Sequence, residues 1–297
     1  MAVSSSDTAV MLTPDATGAQ GSATPPGGRP AIILVPWDPD SPDHVERMRL
    51  QRVACGWKQD GAEGWRPLQR EGKIGLHWIV SDQMTALTLL GLLTPFSLSP
   101  VHLLTHGVHH PMSSPPPTPK PPSRLAAHRT QFPAEAAPLR DTSRAILGRP
   151  HTVHPDIAKA AALFVPVGHI SLDGWHHDPS LQTSAADGVY SLTTFYVSGA
   201  MQGVGIGGAA VAECERMAAQ DFGAKTMTLD TISNEDVAVD SPRRIALNRP
   251  LQKITNQDWY TRRGYQAYHR RPNSWFDTDA TGKEWWCTAV CLRKSLV

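Results

Sequence analysis

No run of apolar residues in this chain approaches the ~20 that a membrane-spanning helix needs. The most apolar window, Ala86–Leu93 extending to Leu104, is interrupted by Thr, Ser, Pro95 and Pro100. The first twenty residues carry neither a basic start nor an apolar stretch, which argues against a secretory signal. Net charge is almost absent too, at +1, so nothing marks the chain for nucleic acid or an anionic membrane. Four cysteines in 297 residues are too few for a disulfide framework. Cys287 and Cys291 could share a strand face, but buried free thiols are expected, and with them a reducing, intracellular, cytoplasmic setting.

What is present is an ordinary globular composition, 40% hydrophobic and 19% charged, with 26 prolines that cluster. Residues 1–30 are rich in Ser, Ala, Thr, Gly and Pro without apolar periodicity, and read as a disordered tail. The run from Ala31 to Pro36 reads as a buried strand. Asp40-Ser41-Pro42 supplies a cap and a first-turn proline for a helix through about Cys55. A Trp-rich connection with room for a second helix leads to a strand at Lys73–Val80. Residues 84–125 then change character, with seven prolines in the twelve residues from Pro111 to Pro122. Such a stretch holds neither a helix nor an inner strand, and we read it as a low-complexity insert in a single domain spanning 31–297.

Beyond the insert the pattern predicts a helix around Ala134–Leu147 and strands at Ala162–Leu172 and Gly188–Val197. A helix follows over Gly203–Phe222, with Ile206, Ala210, Val211, Cys214, Met217 and Ala218 on one face and Gly223 as its C-cap. A strand at Thr226–Asp230, a short helix at Trp259–Arg263 stopped by Gly264, and strands at Tyr265–Arg270 and Trp285–Leu292 complete the order. Strand runs joined by short turns favour antiparallel pairing, while the long helix between the fourth and fifth strands permits a parallel crossover. The expected fold is a mixed, mostly antiparallel α/β (α+β) sheet flanked by helices.

The strongest chemical signal is Gln202-Gly203-Val204-Gly205-Ile206-Gly207-Gly208, between a strand and a helix. Glycines permit positive φ and let a ligand approach the backbone. Unpaired N–H groups and the dipole of a helix N-terminus favour an anion such as phosphate. A phosphate-binding Gly-Lys-Ser/Thr start is excluded, because Gly207-Gly208 is followed by Ala209-Ala210. The dinucleotide spacing Gly203-x-Gly205-x-x-Gly208 is satisfied, with Asp230 placed for a ribose contact. That loop, however, normally follows the first strand of a βα repeat, and here four strands precede it.

Gln202-x-x-Gly205-x-Gly207 resembles the Q/R-x-x-G-x-G/A signature of the GNAT acyltransferases, and Tyr260-Thr-Arg-Arg-Gly264-Tyr265 resembles their Y-x-x-x-G-F/Y segment. The stretch from Leu34 to Trp57, with Val165–Asp173, is similar to a fungal branch of that superfamily. The resemblance covers most of the chain from Ala31 to Leu296. It implies a parallel splay between the fourth and fifth strands, and an N-acetyltransferase that takes an acyl group from acetyl-CoA to a small-molecule or peptide amine. The pyrophosphate would lie on the amides of Gln202–Gly208 (Gln202, Gly203, Val204, Gly205, Ile206, Gly207, Gly208). The pantetheine arm would run along Phe195, Tyr196 and Val197, and Tyr260 would be the general acid. Asp173 or Asp230 is the candidate base by position.

The chain departs from the family pattern at Lys253, where many members carry an asparagine. A non-catalytic acyl-CoA-binding module and a dinucleotide-dependent oxidoreductase are the alternatives. His102, His106, His109 and His110 fall in the insert without a carboxylate or cysteine to complete a shell, so no metal is expected. Trp57, Trp65 and Trp78 read as core, with an acceptor cleft as the other possibility.

Overall fold

The computed structural model describes residues 30–81 and 124–297. The expected tail, nearly all of the insert and its four histidines lie outside these residues. Seven strands form one sheet: β1 (Ile32–Pro36), β2 (Leu76–Ser81), β3 (Gly168–Asp173), β4 (Val189–Val197), β5 (Thr226–Ile232), β6 (Gln266–Thr278) and β7 (Glu284–Ser295), in the order β1-β2-β3-β4-β5-β7-β6. Every neighbouring pair is antiparallel except β4 and β5. The sheet is thus mixed and mostly antiparallel, as the pattern predicts.

The parallel pair is short. Val189, Tyr190 and Ser191 pair with Thr226, Met227 and Thr228, and beyond Ser191 the two strands share no further register. From that point the edge of β4 that faces β5 is open. The helix α4 (Ile206–Phe222) makes the crossover between them, ended by Gly223 at φ 71°. Its apolar face packs on Tyr190, Leu192, Phe195 and Val197 of β4 and on Met227 and Leu229 of β5. Glu213, at the edge of that face, is drawn outward to Arg216 at 2.6 Å.

The other face of the sheet carries α1 (Pro42–Cys55) and α2 (Gly61–Arg70). Pro42 opens α1, and Gly56 closes it in the left-handed region at φ 73°. A second apolar cluster sits here, with Trp37, Met48, Trp65, Trp78 and Phe164 at its centre. Trp65 and Trp78 are therefore core residues, whereas Trp57 packs edge-on against Trp275 with ring centroids 6.2 Å apart.

Four expectations are corrected. The predicted helix at Ala134–Leu147 is instead a 3₁₀ turn, Pro133–Glu135, followed by two-residue strands at Leu139–Arg140 and Ala145–Ile146. Pro138 falls inside that stretch and Gly148 just beyond it, and the carbonyls of Glu135 and Ala137 accept from Arg47 of α1. Regular structure resumes ten residues early, in the helix α3 (Arg124–Gln131). The strand expected at Ala162–Leu172 is divided at Pro166, which cannot donate to a ladder, leaving Leu163–Phe164 apart from β3. At the C-terminal end, β6 outruns the prediction because Pro272 and Asn273 (φ 50°) fall in an irregular stretch of an edge strand.

Strand β4 has one irregularity with large effect. Its register with β3 slips between His169 and Ser171, and Thr194 stands at φ 44°. A β-branched residue in that region marks a bulge rather than a regular strand. Below the slip Tyr190 and Leu192 face α4; above it Phe195 and Val197 do, while Tyr196 points to the opposite side.

Candidate active site

The chain leaves β4 through Ser198 and a 3₁₀ turn at Gly199–Met201, then enters α4 through the glycine loop. Gly203 (φ 77°) and Gly205 (φ 91°) take the left-handed conformation that the sequence assigns to them. Gly205 is the N-cap of α4 and offers no side chain to its amides. Among the described residues, the N–H groups of Gly203 to Gly208 meet no hydrogen-bond acceptor. A row of unpaired amides at the head of a 17-residue helix is an anion site. The Gln202 side chain folds back to donate to the Val197 carbonyl at 2.9 Å, fixing where the loop begins.

These amides border a cleft of about 430 Å³, walled by Val197, the glycines, Pro250–Ile254, Trp259 and Arg263. The absence of side chains keeps it open. A Cβ on Gly207 would come within 3.4 Å of the Phe195 ring, and one on Gly208 within 2.7 Å of the Arg263 guanidinium. Leu251 and Ile254, both exposed, stand in the cleft's wall, and the exposed Val204 lies between two of its glycines in the loop. Lys253 is among the wall residues, so the position that departs from the family pattern faces the loop.

The helix α5 (Asn256–Thr261) is capped by Thr255 and supplies Trp259 to the cleft wall. Tyr260, the next residue, is fully buried, and its hydroxyl has no hydrogen-bond partner. Burial pushes this phenol well above its ordinary value, with Arg263 pulling back and Cys214 and Asp230 adding to the rise. It therefore keeps its proton at neutral pH and has it available to donate. A buried, unspent hydroxyl costs about 1–3 kcal/mol, which a ligand atom would offset.

Asp173 and Asp230 are both buried, on the face of the sheet opposite α4. Asp173 accepts from Thr193 at 2.6 Å and from Ser171. Asp230 accepts from Arg271 at 3.1 Å, and Arg271 also pairs with Asp178. Neither candidate base lies in the wall of the glycine cleft.

The sequence reading passes over a second group of buried polar residues beside Tyr196. Glu135, Gln51 and His128 are at most 3% exposed, and Glu135 Oε2, Gln51 Nε2 and His128 Nε2 have no hydrogen-bond partner. His169 Nδ1 donates to Gln51 Oε1 at 2.8 Å, and the Tyr196 ring lies 5.4 Å from the His169 ring. Tyr196 is hydrogen-bonded to Ser198, whose hydroxyl is 2.9 Å from His128 Nδ1. The only sequence signal for this group was a carboxylate and a histidine on either side of Phe132-Pro133, too weak to single out.

A larger recess, about 600 Å³, lies against Asp38, Asp40, Arg70 and Thr142. Arg70 is paired with Asp40 there at 2.6 Å, and Asp38 accepts from Thr142 at 2.6 Å. Among the described residues no group of three or more His, Cys, Asp or Glu could hold a metal, and no helix is long and apolar enough to cross a membrane. All four cysteines are buried and free.

Comparison with known proteins bears on this arrangement. Residues 128–242, fewer than half of the chain, match the acetyltransferase (GNAT) family. That span takes in β3, β4, the glycine loop, α4 and β5, and stops short of Tyr260. A solved aminoglycoside 6'-N-acetyltransferase complexed with coenzyme A is 12% identical, with a TM-score of 0.41 over 89% of this chain and 97% of that one. The aminoglycoside 6'-N-acetyltransferase from Enterococcus faecium gives the same values of 12%, 0.41, 89% and 97%. A GNAT family acetyltransferase from Elizabethkingia anophelis with acetyl-CoA bound is 15% identical, with a TM-score of 0.27 over 44% of this chain and 69% of that one. With TM-scores this low, the fold rests on the strand order and register above. The curated proteins yield no match.

Proposed function

We propose that the protein transfers an acetyl or related acyl group from acyl-CoA to an amine. The observation that carries this reading is the half-open pair β4/β5, which leads to unpaired amides at the head of α4, with Tyr260 buried next in sequence to Trp259 of the cleft wall. When bound, acyl-CoA would supply the acyl carbon, to which the amine nitrogen bonds as the carbon–sulfur bond breaks. The family match across β3–β5 supports the same reading.

The residues divide the work. The amides from Gln202 to Gly208 would hold the pyrophosphate, favoured by the helix dipole. Phe195, Tyr196 and Val197 present the open edge of β4, to which an extended pantetheine arm can bond as a strand would. A backbone N–H of that edge can polarise the thioester carbonyl. Trp259 and the Phe195 ring, 6.3 Å apart, exclude water behind the loop. Tyr260 gives its proton to the departing sulfur. Asp173 and Asp230 are the carboxylates that sequence position offers as proton acceptors, although each already accepts from neighbours.

A dinucleotide-dependent oxidoreductase is disfavoured by topology, since the loop follows the fourth strand of an antiparallel run. The buried free thiols suit a reducing, intracellular location, and the opening segment suits a fungal branch of the superfamily. Calorimetric titration with acetyl-CoA, with NAD in parallel, tests the cradle. Binding of acetyl-CoA alone is expected, and binding of NAD alone overturns the reading. A panel of primary amines (a polyamine, an aminoglycoside, an amino acid and a lysine peptide), scored by CoA release, then separates an enzyme from a non-catalytic binding module.

A further inference from the structure

A carboxylic acid taken out of water normally arrives with a cation or several donors, because an uncompensated charge is costly to bury. Glu135 does not follow this rule. Its side chain is 3% exposed, yet Oε2 accepts nothing. Arg47, the nearest cation, spends its Nη1 and Nη2 protons on the carbonyls of Glu135 and Ala137, at 2.5 and 2.7 Å. The arginine fastens the 3₁₀ turn to α1 and leaves the carboxyl group itself unclamped. The Gln51 amide also faces this carboxyl and favours its charged form, but without closing a hydrogen bond.

The surroundings are equally unspent. Gln51 is anchored through its carbonyl oxygen to His169, which leaves its amide protons available. His128 is anchored through Nδ1 to Ser198, which leaves Nε2 available. Tyr196 lies among them, next to Glu135 electrostatically and hydrogen-bonded to Ser198. Three elements far apart in sequence thus converge on β4, at the strand where the donor arm is proposed to lie, but on the face away from α4. Wholly buried polar groups with unused capacity mark a place where something else binds.

We propose that this cluster is the acceptor side of the active site, and that Glu135 is the group that takes the proton from the incoming amine. The inference rests on the acyltransfer reading above. The step is a transfer of one proton: an ammonium and the Glu135 carboxylate become a neutral amine, with its lone pair free, and a carboxylic acid.

The other titratable groups do not interfere near neutrality. Burial lifts Glu135 to about 7, against the pull of Arg47 and Gln51. Of the neighbours, burial lowers His128 to about 4 and His169 well below its usual value, and it raises Tyr196 so that the phenol stays protonated. Burial lowers Arg47 to about 10, so it stays charged. A base that titrates near 7 is well matched to its task at that pH.

The test is a pH–rate series on the full chain with acetyl-CoA and whichever amine of the panel releases CoA fastest. For wild type, kcat/KM for the amine should rise with an inflection near pH 7. Glu135→Gln should lower kcat about 100-fold or more and abolish that inflection, while acetyl-CoA binding by calorimetry stays within about twofold. Glu135→Asp should keep the inflection with part of the rate, and it serves as the test should the glutamine variant fail to fold. Wild-type rate and inflection in the variant measured would overturn the proposal. So would loss of the inflection in Asp173→Asn or Asp230→Asn but not in Glu135→Gln. No binding of acetyl-CoA by wild type, or no CoA release with any amine, would remove the transferase reading itself.

Discussion

The two faces of the sheet at β4 are built on opposite plans. Toward α4 the strand is packed among Ile206, Ala210, Val211 and Cys214, and the unspent polar groups include the backbone amides of the loop and the hydroxyls of Tyr260 and Tyr265. Toward α1 it meets Gln51, Arg52, Glu135 and His169, all buried and all polar. The first face can bind an anion through geometry alone, without titrating. The second holds groups whose protonation matters. A site that must grip a constant cofactor and also move a proton gains from keeping these tasks on separate sides of one strand.

This contrast can be broken, and the largest effect should come from the donor side. Gly205→Val places a β-branched residue at φ 91° and a side chain toward Pro30, whose Cδ would lie 3.4 Å from its Cβ. We expect loss of acetyl-CoA binding by about 100-fold in calorimetry, from roughly 1–2 kcal/mol of backbone strain plus closure of the amide row. Unchanged affinity would show that the loop is only a turn. Tyr260→Phe should be milder: kcat down about tenfold, with acetyl-CoA affinity kept, because a thiol of pKa ~8.5 leaves readily without help. An equal fall in affinity would mean that the hydroxyl holds the donor rather than serving the reaction.

A third prediction needs no acceptor. Glu135 is raised in the folded state, from 4.5 to about 7, so the folded protein holds this proton more tightly than the unfolded chain does. Its contribution is fully present below pH 4.5 and is lost as pH rises to about 7. The melting temperature of Glu135→Gln relative to wild type should therefore climb by several degrees across that window and then level off. A constant difference would place Glu135 in a paired environment. The smallest effect is reserved for Lys253→Ala, which should weaken acetyl-CoA binding about two- to threefold and flatten its salt dependence. With 3'-dephospho-acetyl-CoA as ligand, a vanishing difference would trace the contact to that phosphate.

What was legible in the sequence divides along the same line. Ser41-Pro42 and Gly56 at the ends of α1, Gly205 and Gly223 at the ends of α4, and the loop glycines all act through their own φ angles or nearest neighbours. Local chemistry of that kind can be read residue by residue. The acceptor-side cluster depends on distant pairs: Arg47 meets Glu135 across 88 positions, His169 meets Gln51 across 118, and His128 meets Ser198 across 70. Nothing in the run from Pro133 to Leu147 reveals these partners, so its alanines suggested a helix. The turn at Pro133–Glu135 forms because Arg47 takes up its carbonyl.

The bulge at Thr194 acts as a parity switch. Side chains of a strand alternate between two sides, so one extra residue exchanges odd for even in everything downstream. Phe195 and Val197 share the α4 side with Tyr190 and Leu192 only because the count is shifted by one. Were Thr194 drawn into a regular strand with every residue kept, the shift would be undone: Tyr196 would be driven into the apolar helix packing, and Phe195 would be set against Gln51 and His169. Both proposed half-sites would be lost, although no residue had changed. Deleting Thr194, by contrast, removes the extra residue together with its bulge and leaves Phe195 and Tyr196 on their present sides.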